Sequence, residues 1–354
     1  MKTLARDPFK HELIELLALH GQQAGFSISD PSGESQFIEA VRASVRANRA
    51  NEKLLFGRRT ETMFRYVAAA LGACDIVKAE DSGPIISGNA AIAIPDCRLF
   101  LKEGRQLLVE VKNKHGARFV LSKAYIDKLM AYARMTHCDL RIAVYWSQDN
   151  RWSLLDPAQI PQRSGQYSIE AIESMYINEM KMIGDFALVT PTPILVRVEI
   201  DRAAPQEFDR ATNKFKGKIG GMLIYSEDRL VEDAFERKVA TFLLDNGAFE
   251  ESGWRAVFDG DEVAKLEKTY RMRDEGAADF VFLGPYSSLL SNEFLHLTTS
   301  GRRVAAFAPA IDPSELGVAI PSDYSRKSLP ITRYAITPNY SLIATGGEPA
   351  PDML

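Results

Sequence analysis

Apolar positions along this chain recur at two spacings, and the switch between them outlines the elements. Intervals of three and four predict a helix over about 8–20 and, after the turn-rich SISDPSGES, a second over about 36–55. Gly57 is expected to end that helix. RRTETMFRYVAAALGAC then reads as a separate helix of about three turns, capped by Thr60 and closed near Gly72. From Ala90 the pattern turns to β: AIAIPDCRLFL and QLLVEVK are apolar runs joined by KEGR, which predicts a hairpin. The loop NKHGARF leads to a helix over about 122–135 and then to LRIAVYW, a strand apolar enough to be covered on both faces. Residues 156–168 read as loop, followed by a helix with MYINEMKMIGD and the strand ILVRVEI. Farther on, GGMLIYS, DFVFLG and RVAAFA read as strands, and LVEDAFERKVATFLL and DEVAKLEKTYR as helices. A soft boundary near 186–193 divides the chain into 1–190 and a C-terminal α/β region, 191–354.

Composition adds little to this until it is divided. With 46% hydrophobic and 25% charged residues, the 354-residue chain has the make-up of an ordinary folded protein. No apolar run approaches the ~20 residues that span a bilayer, and charges interrupt MKTLARDPFKHELIELL, so a cytoplasmic protein without membrane contact is expected. Three cysteines without CxxC spacing point to neither a disulfide framework nor a zinc finger. The net charge of −4 conceals an asymmetry: residues 1–150 hold 21 Lys/Arg against 17 Asp/Glu, the remainder 22 against 30. Arg42, Arg46, Arg49, Lys53, Arg58, Arg59 and Arg65 form a basic run set against Glu52 and Glu61. Such a run either attracts phosphate or is a solvated helix face, and charge alone favours the second.

The chemistry concentrates in Pro95-Asp96 and, fourteen residues after that aspartate, Glu110-Val111-Lys112. Side chains alternate along a strand, so Glu110 and Lys112 share one face of QLLVEVK while Leu107, Val109 and Val111 share the other. The hairpin brings the Asp96 strand alongside. Two carboxylates converging in an apolar sheet repel and lose hydration, a costly arrangement that a divalent cation relieves. Hard oxygen ligands suit magnesium, with manganese able to substitute. Lysine beside them supplies a cation to hold water and offset charge on a phosphate. The bland reading is a hairpin with exposed polar residues. His11, His20, His115, His137 and His296 show no zinc-ligand spacing, and no phosphate-binding glycine loop is present.

This arrangement resembles the PD-(D/E)XK nuclease superfamily, in the order helix, hairpin, helix, strand. The resemblance covers about residues 50–150. It implies an α/β fold: a restriction-endonuclease-like core with a central mixed sheet flanked by helices, joined to a second α/β region. It also implies a magnesium-dependent nuclease acting on DNA, with RNA left open, and a homodimer where both strands are cut. Asp96 and Glu110 would ligate the metal with the Val111 carbonyl, and Lys112 would orient the attacking water. Glu61 fits the acidic residue contributed by the preceding helix; otherwise it is a glutamate stabilised by the helix dipole. Lys128, and more weakly Lys123, match the position of a basic or amide residue that related nucleases present from the following helix. Arg58 and Arg59 are expected phosphate contacts. The rival expectation is a non-catalytic nucleic-acid-binding or assembly protein on the same scaffold.

Overall fold

The computed structural model describes residues 1–4, 12–80, 86–88, 91–191, 194–212, 214–226, 228–247, 249–272, 280–301, 303–324 and 328–340. Three helices open it: α1 (Glu12–Ala24), α2 (Pro31–Arg49) and α3 (Glu52–Leu71). The start expected for the first helix, residues 8–11, lies outside the described residues. Helices α2 and α3 meet at Asn51, not at Gly57. The Asn51 side chain accepts from the Leu54 amide at 3.1 Å, a cap worth about 1 kcal/mol. Gly57 is carried inside α3 at a propensity cost of about 0.5–1 kcal/mol. Thr60 is therefore mid-helix and buried, its hydroxyl donating to the Phe56 carbonyl at 2.8 Å. Gly72 does end the helix, in the left-handed conformation with φ 83°.

The central sheet follows: β1 (Cys74–Ala79), β2 (Cys97–Leu101), β3 (Gln106–Lys114), β4 (Arg118–Ser122), then α4 (Lys123–Met135), β5 (Asp139–Trp146) and β6 (Arg151–Leu155). Five of these strands form one mixed sheet in the order β1-β2-β3-β5-β6, in which only β3 and β5 run parallel. Strand β4 pairs instead with Gln166–Glu170, so part of the expected loops NKHGARF and 156–168 is sheet. Those segments are short and mostly polar, which hides the strand signal.

Apolar alternation on β3 and β5 is divided between two cores, as the two-sided burial of LRIAVYW requires. Leu107, Val109, Val111, Ala143 and Tyr145 pack with Met63, Phe64, Val67 and Ala68 of α3. Leu108, Ile142, Val144 and Trp146 pack with Ile126, Leu129 and Ala133 of α4. The α3-side core also takes in Leu188, Ile194, Val239, Leu290 and Leu329, from the C-terminal part of the chain.

Helix α5 (Ala171–Tyr176) still belongs with the first sheet, and the C-terminal part holds a five-stranded sheet built on Ile194–Ile200, Ile219–Ser226, Phe249–Asp259 and Glu262–Met272, with helices α6 (Ala234–Asn246) and α7 (Tyr286–Thr298). DEVAKLEKTYR, expected as a helix, is a strand. Asp259 pairs with Glu262 across Gly260-Asp261, and Gly260 has φ 63°, as the first central position of a two-residue hairpin demands. The DG signal was present in the sequence; a coincidental three-and-four spacing of apolar residues masked it.

Candidate nuclease site

Registers on the α4 side of the sheet place three acids in one transverse row. Ala79 pairs with Cys97, and Cys97 with Val109; one residue past these pairs, Glu80, Asp96 and Glu110 stand side by side on β1, β2 and β3. The Glu80 amide donates to the Asp96 carbonyl at 3.0 Å, which carries the ladder to this row. Opposed residues on neighbouring strands have their Cβ atoms about 4.5–5.5 Å apart.

Strand β2 stops where Pro95 has no amide to give, and the side chain of Asp96 takes over. Its Oδ2 accepts from the Val111 amide at 2.7 Å. The N–H and C=O of one strand residue point the same way, so the Val111 carbonyl also faces this open end of β2. Glu110, buried in the middle of the sheet at 1% exposure, accepts at Oε1 from the Lys112 ammonium and from the Tyr125 hydroxyl, the latter at 2.6 Å. Its Oε2 is buried without a hydrogen-bond partner among the described residues. The Lys112 ammonium also lies 5.6 Å from the centre of the Tyr125 ring.

Burial and the negative charge of Glu110 push the Asp96 carboxyl up to about 7, against the opposing pull of the Val111 amide and Lys112. Glu61 adds to the upward push, so it lies within electrostatic reach. Its carboxylate is nevertheless engaged with Arg58, Nη1 to Oε2 at 3.0 Å. Among the described residues no three His, Cys, Asp or Glu side chains are arranged to hold an ion. The oxygens at hand are those of Asp96 and Glu110 with the Val111 carbonyl. An orphaned buried carboxylate oxygen beside a second desolvated carboxyl fits a hard divalent cation.

The remaining expected contacts lie apart from this cluster. Arg59 donates to the Thr299 hydroxyl at 2.8 Å and lies over Phe56, 5.1 Å from the ring centre. Lys123 is exposed and paired with Asp127 at 2.7 Å. Lys128 is exposed on α4, and its carbonyl accepts from the Ala93 amide at 3.2 Å. His115 is exposed beside Ser147 and Gln148.

Sequence reasoning missed the tyrosines. Tyr125 and Tyr132 lie seven residues apart on α4; one donates to Glu110, the other to Glu80 at 2.6 Å. Two tyrosines at i and i+7 beside the stripe Ile126, Leu129, Ala133 were the available signal. Arg98 completes the neighbouring cluster, with Nη2 at 2.5 Å from Glu80.

A mixed sheet between α3 and α4, with Asp96 and the ExK strand adjoining, is the arrangement that the resemblance to the PD-(D/E)XK superfamily implies. Residues 75–184 match the family model of the archaeal Holliday junction resolvase (hjc), a family of that superfamily. The solved structure of Archaeoglobus fulgidus Hjc, a Holliday junction resolvase, matches at 16% identity and a TM-score of 0.25, covering 30% of this chain and 84% of that one. No curated protein matches the sequence. Among the described residues no helix is long and apolar enough to cross a membrane.

Proposed function

We propose that the chain is a divalent-metal-dependent nuclease that hydrolyses DNA phosphodiester bonds at Asp96, Glu110 and Lys112. The observation that carries this reading is the buried, unpartnered Oε2 of Glu110 beside an Asp96 carboxyl that burial and Glu110 hold up at about 7. Two such groups are costly in an apolar sheet, and a cation held between them would offset that cost. Asp96, Glu110 and the Val111 carbonyl would hold magnesium or manganese, with Glu61 joining directly or through water once released from Arg58. Such an ion polarises the phosphate and lowers the pKa of a bound water.

The chain's own groups do the rest. The Val111 amide fixes the Asp96 carboxylate, and Tyr125 fixes the Glu110 rotamer. Lys112, as the ammonium that donates to Glu110, positions the attacking water, eases loss of its proton to solvent through its positive charge, and offsets charge growing on the phosphate. Arg58 and Lys128, both exposed, would meet the flanking phosphates. The matched family model is of Holliday junction resolvases, which makes a four-way junction the first substrate to try. A homodimer would supply one site to each of two strands.

The test is incubation of purified protein with four-way junction, duplex and single-stranded DNA, and RNA, in Mg²⁺ or Mn²⁺ with EDTA controls. Metal-dependent cleavage that Glu110→Gln reduces by a factor on the order of 10²–10³ is expected. Binding without cleavage on every substrate leaves the non-catalytic scaffold.

A further inference from the structure

A cleft of about 590 Å³ opens between the N-terminal end of α3 and residues 303–307, outside the segment that matches known nucleases. Arg49 and Arg303 stand on its rim with Phe56 and Phe307, and Glu52 contributes a carboxylate. Both arginines are exposed, and neither has an ion-pair partner among the described residues. Phe307 is 46% exposed, an apolar ring left in water.

The walls are fastened to each other. Arg59 reaches from α3 to Thr299, which pairs with Val304 as Ser300 pairs with Arg303. The Ala305 amide closes on the Thr298 carbonyl at 2.9 Å. Arg59 therefore positions the hairpin that carries Arg303, and its own charge is spent on Thr299 and Phe56. Phe56 precedes Glu61 by five residues, about 7.5 Å along the helix axis. The cleft therefore lies toward the N-terminal end of α3 from Glu61.

We infer that this cleft seats an unstacked DNA strand, with phosphates between Arg49 and Arg303 and a base on Phe307. Two unpaired cations supply the charge complement to a phosphate backbone, and an exposed ring offers a base something to stack on. A fully paired duplex offers only its backbone, so the cleft favours single-stranded or branched DNA. The inference rests on the nuclease reading for its direction relative to Glu61, whereas strand binding itself does not require cleavage.

Anisotropy of a fluorescent fifteen-residue oligo-dT and of a blunt duplex, in EDTA from 50 to 200 mM salt, tests it. The double variant Arg49→Ala/Arg303→Ala should bind the single strand more weakly and lower the slope of log K against log salt by about 1.4. Phe307→Ala should weaken single-strand binding about fivefold or more and leave the duplex unchanged. All three positions are exposed, so an unchanged melting temperature serves as the folding control. Parental affinity and slope in the double variant overturn the site; equal loss on both DNAs with Phe307→Ala overturns the stacking. If the variants lose binding while the parent cleaves nothing, the cleft stands and the nuclease reading falls. If the parent cleaves and the variants bind as it does, the cleft alone falls.

Discussion

Glu80 and Glu110 are both buried glutamates in one row of the same sheet, and each takes a hydrogen bond from a tyrosine of α4. They differ in what else surrounds them. Glu80 faces the guanidinium of Arg98 at 2.5 Å, with Lys78 at 3.9 Å. Glu110 has Lys112, whose side chain is one-third exposed, and shares its surroundings with the desolvated carboxyl of Asp96. The first cluster is neutralised internally and ties β1, β2 and α4 together. The second carries one carboxylate more than its cation can balance. That unbalanced charge is what the proposed metal site would use.

The strongest way to break this contrast is to remove each glutamate. Glu80→Ala leaves the half-buried Arg98 without its counter-ion and Tyr132 without its acceptor, and should cost about 3 kcal/mol of stability in urea unfolding. Glu110→Gln should keep or raise the stability of the metal-free protein, because it relieves repulsion with Asp96, while abolishing tight Mn²⁺ binding in calorimetry. A large stability loss in Glu110→Gln would make both clusters structural.

The pH dependence sharpens the contrast further. The Asp96 carboxyl is raised to about 7, so the folded metal-free protein binds a proton that the unfolded chain gives up near 4. The stabilisation present below about 4 is therefore lost as pH rises toward 7, and the melting temperature should fall across that window. Asp185, raised to about 6 by burial, slopes the same way. The difference between parent and Asp96→Asn isolates the site. Mn²⁺ affinity should rise through the same pH range, because the ligand must first ionise.

The smallest effect separates the two tyrosines. Each gives a hydrogen bond to a carboxylate, worth about 1.5–3 kcal/mol. Tyr132→Phe should lower stability and leave cleavage per folded molecule unchanged. Tyr125→Phe should lower kcat about tenfold, with Mn²⁺ affinity reporting the loosened Glu110. Equal effects on both readouts would erase the distinction.

Much of the α3–sheet–α4 core was legible in the sequence, because local patterns and long-range pairing agree there. QLLVEVK and LRIAVYW carry apolar side chains on both faces, and Glu110 and Lys112 break the apolar run of β3 at the sheet's open end. Asp96, Glu110 and Lys112 fall together because antiparallel register follows from the short turn KEGR. Glu80 was illegible for the opposite reason: its strand, CDIVKA, is short, half polar and separated from β2 by a long connection, so only the paired structure shows it beside Asp96. The α2–α3 junction was misplaced because glycine was weighed above an asparagine whose cap becomes visible only with its amide partner. Arg59 had no sequence signal for Thr299, 240 residues away.

The shared apolar core has a practical consequence for anyone wishing to excise the matched segment. The stretch that resembles known resolvases, 75–184, lacks α3 and everything after Gly184, yet the side of its sheet bearing Val109, Val111 and Tyr145 is covered by Phe64 and Val67 from one and joined to Leu188 and Leu290 from the other. Expressed alone, that stretch would present a bare greasy plane and aggregate. The homologous segment is thus a part inside a larger machine, and its neighbours are its lid.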